Sequence, residues 1–273
     1  MSGEVVVADA DERGVVQVTL RHTGRLNAMS RAMWRQLCEV FVGIQQRAEG
    51  GDDSVRCVIV AGEGGAFCAG GDISEYPAFR FDAAALRDFH EGDVWGGLAA
   101  MLACDVPIVA RIDGACMGAG VEIAACSDIR IAGQAARFGA PIAKLGFPMA
   151  PREAQLVAGA VGDVTARQML LEAATFSAAD MLARGFLSRV VPDDLVAAEA
   201  LASAHRIAAL APRAARMNKQ TFRTLKMPLP LDGQAPSAIE NIVNAQPDPY
   251  AYADSAEHRE GITAFLEKRP PAF

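Results

Sequence analysis

The stretch PIVARIDGACMGAGVEIAACSDIR, residues 107–130, decides the fold and carries the strongest functional signal of the chain. An apolar, strand-like run at 107–112 enters a turn that contains Gly114, Gly118 and Gly120, and a short helical segment with a single carboxylate, Glu122, follows. Glycine lets a ligand approach the backbone closely, and a helix start leaves N–H groups without an intrahelical partner. The stretch therefore predicts a backbone pocket for a negatively charged oxygen, with a carboxyl group beside it.

Length and charge limit the classes of protein to which this chain can belong. Its 273 residues are 51% hydrophobic and carry a net charge of −7. This size fits one large domain, or one domain with an appendage. The acidic balance argues against a general nucleic-acid surface, although it permits a local basic patch for a phosphorylated ligand. The acidic N-terminus lacks a signal-peptide core, and no apolar run reaches membrane length, so we expect a soluble cytoplasmic protein without a membrane partner.

Cysteine and histidine usage points away from disulfides and metals. Six cysteines lie scattered in apolar surroundings without a C-x-x-C pair, and the four histidines show no ligand spacing. We expect reduced, buried thiols and no metal site. Cys68 lies in a glycine-rich loop, but no histidine is near it in sequence, so a nucleophilic role is not expected.

Apolar runs alternate with helical patterns over the first two thirds of the chain. Strands are predicted at 15–20, 55–61, 106–112, 128–132 and 186–191, and helices at 31–48, with Ser30 as N-cap, and at 82–104. This alternation favours an α/β fold with parallel strands. After about residue 195 the pattern becomes helical, at 195–210, 212–225 and 254–268, with a break at Pro228, Pro230, Gly233 and Pro236. We predict a core at 1–195 that holds the ligand site, and a helical region at 196–273 for subunit contact.

Six segments, in a fixed order, resemble a known family. They are LNAMS at 26–30, AFCAGGDI at 66–73, the stretch 107–131, ARFG at 136–139 with Leu145-Gly146, GFL at 185–187 and EGITAFLEKR at 260–269. Together they resemble the crotonase (enoyl-CoA hydratase/isomerase) superfamily over nearly the whole chain. The resemblance implies a spiral of ββα units with two packed sheets and a helical C-terminal region. It also implies an acyl-CoA thioester as substrate and no separate cofactor, since coenzyme A is part of that substrate. The implied assembly is a homotrimer or a dimer of trimers.

The resemblance also implies a catalytic arrangement. Two backbone amides from separate loops, mapped here onto Gly71 and Ala119, bind the thioester oxygen, and Glu122 is the acid/base. The chemistry agrees, because fixed donors aimed at a developing oxyanion stabilise it by about 2.7–4 kcal/mol each. A carboxyl group among apolar neighbours has a raised pKa, which suits proton exchange near neutrality. The alternative for Glu122 is a structural carboxylate paired with Arg111 or Arg130.

The pattern departs from the family at its second carboxylate. Family hydratases place a second glutamate twenty residues after the first, and that position is Ile142 here. The run that follows contains Arg152 and Glu153 where small residues are usual. A helix-start pair is the preferred interpretation, since acids favour the first turn. The alternative makes Glu153 a replacement carboxylate, or Arg152 an anchor for an acidic acyl group.

Residues for the substrate follow from the same resemblance. The predicted substrate- and CoA-binding set is Arg25, Ala28, Ala69, Asp72, Ile73, Gly118 and Ile142, with Phe265 and Lys268 contributed from a neighbouring subunit. The acyl group is expected to lie against walls formed near 76–101 and 142–153. Arg25 and Lys268 could equally be solvated surface charges.

Three functions compete at this point. Hydration or dehydration of an enoyl-CoA is the leading hypothesis, and an acyl-CoA-binding member with altered chemistry (isomerase, decarboxylase or non-catalytic) is the second, because of Ile142. A dinucleotide-dependent oxidoreductase is the third. It is disfavoured because the last glycine of a G-x-G-x-x-G pattern would fall on Ile123.

Overall fold

The computed structural model describes residues 3–225, 250 and 252–273. Its strands are β1 (Glu4–Val7), β2 (Val15–Arg21), β3 (Cys57–Gly62), β4 (Ile108–Ile112), β5 (Ala115–Met117), β6 (Ile129–Gly133), β7 (Arg137–Gly139), β8 (Thr175–Ser177) and β9 (Arg189–Val191). The larger sheet has the strand order β1-β2-β3-β4-β6-β9, and a smaller sheet has the order β5-β7-β8. The pairs from β2 to β9 across the larger sheet are parallel, whereas β1 joins as an antiparallel edge strand.

Helices follow the strands in a repeating order. They are α1 (Arg31–Glu49), α2 (Ala83–Asp88), α3 (Trp95–Ala103), α4 (Ala119–Ala125), α5 (Pro151–Val161), α6 (Asp163–Leu171), α7 (Ala178–Ala183), α8 (Val196–Ala208), α9 (Pro212–Leu225) and α10 (Ala256–Glu267). In two successive units of the chain a long strand joins the larger sheet, a short strand joins the smaller one, and a helix follows. The units β4-β5-α4 and β6-β7-α5 show this clearly.

Alternation along the strands buries both faces of the larger sheet. Val16, Val18 and Val60 point to one face, which α1, α3 and α4 cover. Val15 and Ile59 point to the other face, where α8 packs its alanines Ala200, Ala204 and Ala208. Parallel sheets are buried in this way because helical crossovers cover them. The small side chains on α8 let its backbone lie close to β3 and β4.

The structure confirms most of the elements that the sequence predicts. Ser30 caps α1 by accepting a hydrogen bond from the Met33 amide, as its position suggested. The predicted strand at 186–191 begins only at Arg189, and β1, β5, β7 and β8 were not predicted. These four strands span three or four residues each, too short for a period-2 pattern to register.

Polar contacts fix α9 on the core. Lys219 Nζ lies 2.9 Å from Asp128 Oδ2, and Arg223 Nη2 lies 2.7 Å from Asp105 Oδ1. Burial opposes ionisation of Asp105, but hydrogen bonds from Gln220 and its other partners outweigh it and lower the pKa of this carboxyl. The proline- and glycine-rich break predicted at 228–236 lies outside the described residues.

Candidate active site

A cavity of about 350 Å³ opens between the loop 69–73, the start of α4, and the segments 76–94 and 141–153. The predicted site residues that line it are Ala69, Gly71, Ile73, Gly118, Ala119, Glu122 and Ile142. A second hollow shares Tyr76, Arg80 and Phe147 with it and continues it along the same wall. The structure therefore brings the two glycine loops and the walls expected near 76–101 and 142–153 around one space.

The loop that carries Gly71 is held on both sides by main-chain hydrogen bonds. On one side the Met117 amide donates a hydrogen bond of 2.8 Å to the Cys68 carbonyl oxygen, and Cys68 forms a parallel β-bridge with Cys116 of β5. On the other side the Met29 amide donates to Gly70 at 2.8 Å, and the Asp72 amide donates to Met29 at 2.8 Å. Main-chain hydrogen bonds on both sides therefore position the backbone of the loop.

The second loop packs directly on the first. Gly118 has φ of +47° and Gly70 has φ of +117°, conformations that L side chains rarely adopt. A Cβ atom at Gly120 would lie 2.6 Å from the carbonyl oxygen of Cys68, so only glycine permits this approach. Gly70 and Gly118 are thus required by backbone conformation, and Gly120 by the contact between the loops.

Two amides remain open to a ligand. Ala119 is the first residue of α4, and Gly71 lies at the turn before the short 3₁₀ helix Ile73–Ala78. Within the part of the chain that the structure describes, neither amide donates a hydrogen bond to a protein acceptor. A pair of unpaired N–H groups on rigid loops is the arrangement needed to bind an oxyanion.

Glu122 is buried beside these amides, with 6% of its surface exposed. Burial, and after it the negative charge of Glu153, raises the pKa of Glu122 well above its usual range. Arg111 pairs instead with Asp113 at 3.0 Å, and Arg130 donates to backbone carbonyl groups. The alternative of a structural ion pair with either arginine is therefore not what the structure shows.

Glu153 shares the cavity with Glu122. It lies in the first turn of α5, as the helix-start interpretation expects, but its side chain is only 4% exposed and lines the cavity. Its Oε1 lies 2.7 Å from Nδ1 of His90. Arg152, next to it, is exposed, and its Nη1 lies 3.2 Å from Glu91 Oε2. The helix-start interpretation therefore accounts for the position of Glu153 in α5 but not for its carboxylate, which faces the same cavity as Glu122.

His90 is placed by an irregular segment of helix. The residues Phe89–Val94 form a π-helical turn between α2 and α3, a feature often found at functional sites. Asp93 anchors this turn to α1 through Arg31, at 2.5 Å, and Arg35, at 2.6 Å. These two ion pairs, which share the buried Asp93 carboxylate, therefore fix the segment from which His90 reaches Glu153.

An aromatic wall completes the cavity. Tyr76 makes edge-to-face contacts with Phe79, Phe89 and Phe147 at ring-centroid distances of 5.8, 6.2 and 6.0 Å. A Cβ atom on Gly71 would lie 2.3 Å from the Tyr76 hydroxyl oxygen, so this hydroxyl stands beside the Gly71 amide. Burial raises the pKa of Tyr76 to about 12, which keeps the hydroxyl protonated near neutrality.

Comparison with known proteins agrees with this geometry. The sequence profile of the enoyl-CoA hydratase/isomerase family matches residues 10–273. A probable enoyl-CoA hydratase of Mycobacterium bovis is 30% identical over 273 residues, covering 100% of this chain and 99% of the relative. The chain belongs to the enoyl-CoA hydratase/isomerase family. A solved enoyl-CoA hydratase/carnitine racemase from Magnetospirillum magneticum is similar in structure, with a TM-score of 0.86, 32% identity and coverage of 100% and 96%. An enoyl-CoA hydratase from Mycobacterium smegmatis gives a TM-score of 0.82, with 29% identity and coverage of 98% of both chains.

Membership in this family confirms the predicted fold class, an α/β spiral of ββα units with a helical C-terminal region. In this enoyl-CoA hydratase/isomerase chain the loop 22–29 is joined to the loop 66–73, since the Ala69 amide donates to Leu26 at 3.0 Å. Arg25 Nη1 lies 3.3 Å from Asp72 Oδ1. Arg25, Ala28, Ala69, Asp72 and Ile73, predicted for coenzyme A, therefore lie in one connected region at the mouth of the cavity.

Phe265 and Lys268 lie elsewhere. Both belong to the C-terminal end of α10, and neither lines the cavity of its own chain. Phe265 is 81% exposed, and Ile262 and Leu266 are exposed on the same helix. Their assignment to a neighbouring subunit's site stays a prediction.

Tyr76, Arg80 and His90 are among the cavity residues that sequence analysis missed. Tyr76 and Arg80 lie before the helix predicted at 82–104 and His90 lies within it, and no motif singles them out. The sequence did mark the neighbourhood, because substrate walls were expected near 76–101.

Burial raises the pKa of Cys68 to about 12, which keeps its thiol neutral.

The described residues contain no group of three or more histidine, cysteine, aspartate or glutamate side chains arranged to hold a metal ion. Over the same residues, no helix has both the length and the apolar character needed to cross a bilayer.

Proposed function

We propose that the protein is an enoyl-CoA hydratase, which adds water across the conjugated double bond of an enoyl-CoA and catalyses the reverse dehydration. The observation that carries the proposal is the meeting of Glu122, Glu153 and the free amides of Gly71 and Ala119 around one cavity. Hydration needs these parts, namely two donors for the thioester oxygen and two groups that exchange protons with substrate and water.

The amides act on the thioester carbonyl oxygen. When a water oxygen bonds to the β-carbon, the electrons of the double bond move toward the carbonyl and negative charge collects on its oxygen. Gly71 and Ala119 donate to that oxygen, and each such donor contributes about 2.7–4 kcal/mol to transition-state stabilisation. Because their loops are fixed by backbone contacts, little reorganisation accompanies the reaction.

The two carboxyl groups divide the proton transfers. Glu122 holds its proton because burial and the neighbouring Glu153 disfavour its charged form, and it delivers that proton to the α-carbon. Glu153, oriented by His90, accepts the proton that leaves the attacking water. A proton then returns from Glu153 to Glu122 through solvent, so that one water molecule is added and both groups are restored. Glu153 thus takes the place of the carboxylate that Ile142 cannot supply.

The test follows the loss of the conjugated enoyl-thioester absorbance with a series of 2-enoyl-CoA substrates. Glu122→Gln and Glu153→Gln should each lower kcat by about 10²–10⁴-fold, the usual contribution of general acid–base catalysis. Glu172→Gln, at an exposed position that ends α6, is the matched control and should leave kcat unchanged. Wild-type protein that binds acyl-CoA but converts neither enoyl- nor 3-hydroxyacyl-CoA would refute the proposal.

A second candidate is an acyl-CoA-binding member with altered chemistry, favoured by Ile142 at the second glutamate's usual place. An isomerase needs one proton carrier at the thioester enolate and no attacking water. If Glu153→Gln leaves turnover unchanged while Glu122→Gln abolishes exchange of α-protons with deuterated solvent, this candidate replaces hydration.

We further propose that the enzyme acts in the cytoplasm as a homotrimer or dimer of trimers, and that residues 196–273 serve its subunit contacts. The exposed apolar side chains of α10 support this assignment. In such an assembly Phe265 and Lys268 reach the coenzyme A bound to a neighbouring subunit.

A further inference from the structure

The guanidinium of Arg80 stands in the wall of the cavity without a polar partner. Its Nη1 is buried, and in the ranges 3–225 and 252–273 no hydrogen-bond acceptor meets it. The same ranges contain no ion pair that involves Arg80, although other half-buried arginines such as Arg31 and Arg111 are paired with carboxylates. A buried, unpaired donor of a charged group is costly, so its position calls for an explanation.

Aromatic rings hold the guanidinium in place. Its Cζ lies 3.5 Å from the ring centroid of Phe147 and 4.5 Å from that of Tyr76. Cation–π attraction of this kind holds the guanidinium against the rings. The ring faces do not take up its N–H donors as a hydrogen-bond acceptor would, and Nη1 is left to bind an acceptor.

The position of Arg80 relates it to the reacting end of the substrate. The Tyr76 hydroxyl stands beside Gly71, and the guanidinium of Arg80 lies over a face of the same ring, 4.5 Å from its centroid. Arg80 therefore lies one aromatic ring beyond the proposed oxyanion site. Arg80 and Glu122 line the same cavity, together with Lys144 and the His90–Glu153 pair, and most of the remaining lining is apolar or aromatic.

We infer that Arg80 binds a carboxylate at the far end of the acyl chain, so that the preferred substrates are CoA thioesters of unsaturated dicarboxylic acids. Carboxylate is the acceptor that matches a fixed guanidinium edge, through two parallel charge-assisted hydrogen bonds. This inference rests on the proposed function for the thioester end only. It replaces the earlier alternative of Arg152 as the anion anchor, since Arg152 is exposed and paired with Glu91.

Binding measurements test Arg80 without requiring turnover. Calorimetric titration compares adipyl-CoA with its terminal methyl ester, which has the same chain but no terminal charge. Wild type should bind the acid about ten- to a hundred-fold more tightly than the ester, the range for a charge-assisted hydrogen bond. Arg80→Met keeps an apolar side chain over the rings and should abolish the preference, while ester binding changes by less than about threefold.

Two further variants complete the test. Arg80→Lys keeps the charge without the planar edge and should retain only part of the preference. Arg87→Met, an exposed position on α2 outside the cavity, should keep all of it. A wild type without preference for the acid, or a preference that persists in Arg80→Met, overturns the inference.

Turnover of 2-hexenedioyl-CoA and 2-hexenoyl-CoA separates this inference from the proposed function. If both substrates are hydrated equally well by wild type and Arg80→Met, hydration stands and the carboxylate site fails. If the Arg80-dependent preference for adipyl-CoA is observed but neither enoyl-CoA is hydrated, the carboxylate site stands and the proposed function fails.

Discussion

The Nδ1 atom of His90 lies 2.7 Å from Oε1 of Glu153, joining a π-helical turn to the start of α5 across 63 residues of sequence. Glu153 is almost fully buried, so this contact fixes the direction of its carboxylate in the cavity. Burial, and after it the negative charge of this same carboxylate, raises the pKa of Glu122. The proposed division of proton transfers between Glu122 and Glu153 therefore depends on the contact between His90 and Glu153.

Removing the imidazole should impair catalysis more than binding. We expect His90→Leu to lower kcat about 10- to 100-fold, part of the 10²–10⁴ that general acid–base catalysis supplies, with KM within about threefold. His90→Asn, whose amide nitrogen can occupy the Nδ1 position, should recover most of the loss. Steady-state kinetics on one enoyl-CoA measures both variants, and equal activity of His90→Leu and wild type would contradict the role.

Contact between the two glycine loops should make Gly120 sensitive to one added methyl group. The Cβ of Gly120→Ala would lie 2.6 Å from the Cys68 carbonyl oxygen, so α4 must shift and carry the Ala119 amide with it. We expect kcat to fall at least tenfold and the protein to be destabilised by about 1–3 kcal/mol, as in overpacked cores. Gly159→Ala on α5 meets nothing within 4 Å and, as the control, should stabilise by about 0.5–1 kcal/mol. Thermal unfolding and kinetics that are alike for the two variants would contradict the prediction.

Burial of Glu122 should appear in the pH dependence of stability. Its pKa is raised by folding, so the folded protein binds more protons than the unfolded chain above about pH 4.3, the ordinary value. Stability relative to Glu122→Gln is complete below that pH and is lost as pH rises toward the raised pKa. The Tm of Glu122→Gln minus that of wild type should therefore be larger at pH 8 than at pH 5. A difference independent of pH would mean that Glu122 ionises normally.

Asp93 should prove essential for both stability and the site. It is 7% exposed and receives hydrogen bonds from Arg31 and Arg35, so Asp93→Asn removes the carboxylate that Arg35 contacts and leaves Arg31 paired with Asp88 alone. Because Arg35 is largely exposed and Arg31 keeps a partner, we expect a loss of about 1–3 kcal/mol, the range for weakened hydrogen bonds to a buried charged group. Denaturant unfolding measures the loss, with Asp163→Asn, from the exposed pair with Arg167, as the control expected within about 1 kcal/mol of wild type. Equal losses in the two variants would rule out the anchoring role.

The glycine loops were predictable because their requirements are local. Gly70 and Gly118 adopt backbone conformations that favour glycine, and Glu122 follows within one helical turn. The sequence also marked Ser30 as a cap and the apolar face of α1, for the same reason. A signal confined to a few neighbouring residues is visible without the fold.

The second carboxylate and its partners depend on contacts that are distant in sequence. Glu153 reaches the cavity only because α5 packs on α4 and its first turn points inward. His90 and Arg80 enter through the irregular helical segment and the aromatic wall, whose placement depends on Asp93 and α1. No spacing along the chain predicts these long-range contacts. For this reason the sequence could not show which of Arg152 and Glu153 faces the cavity.

The backbone ladder that holds the loop 66–72 between Met29 and β5 separates two properties of the molecule. The amides of Gly71 and Ala119 are placed by main-chain bonds, whereas the far wall is built from the side chains of Tyr76, Arg80 and Phe147. Substitution of those side chains can change the specificity of the enzyme for the acyl group without moving the backbone amides that bind the thioester. The scaffold is thus suited to diversification, whether by natural drift or by laboratory redesign of the wall alone.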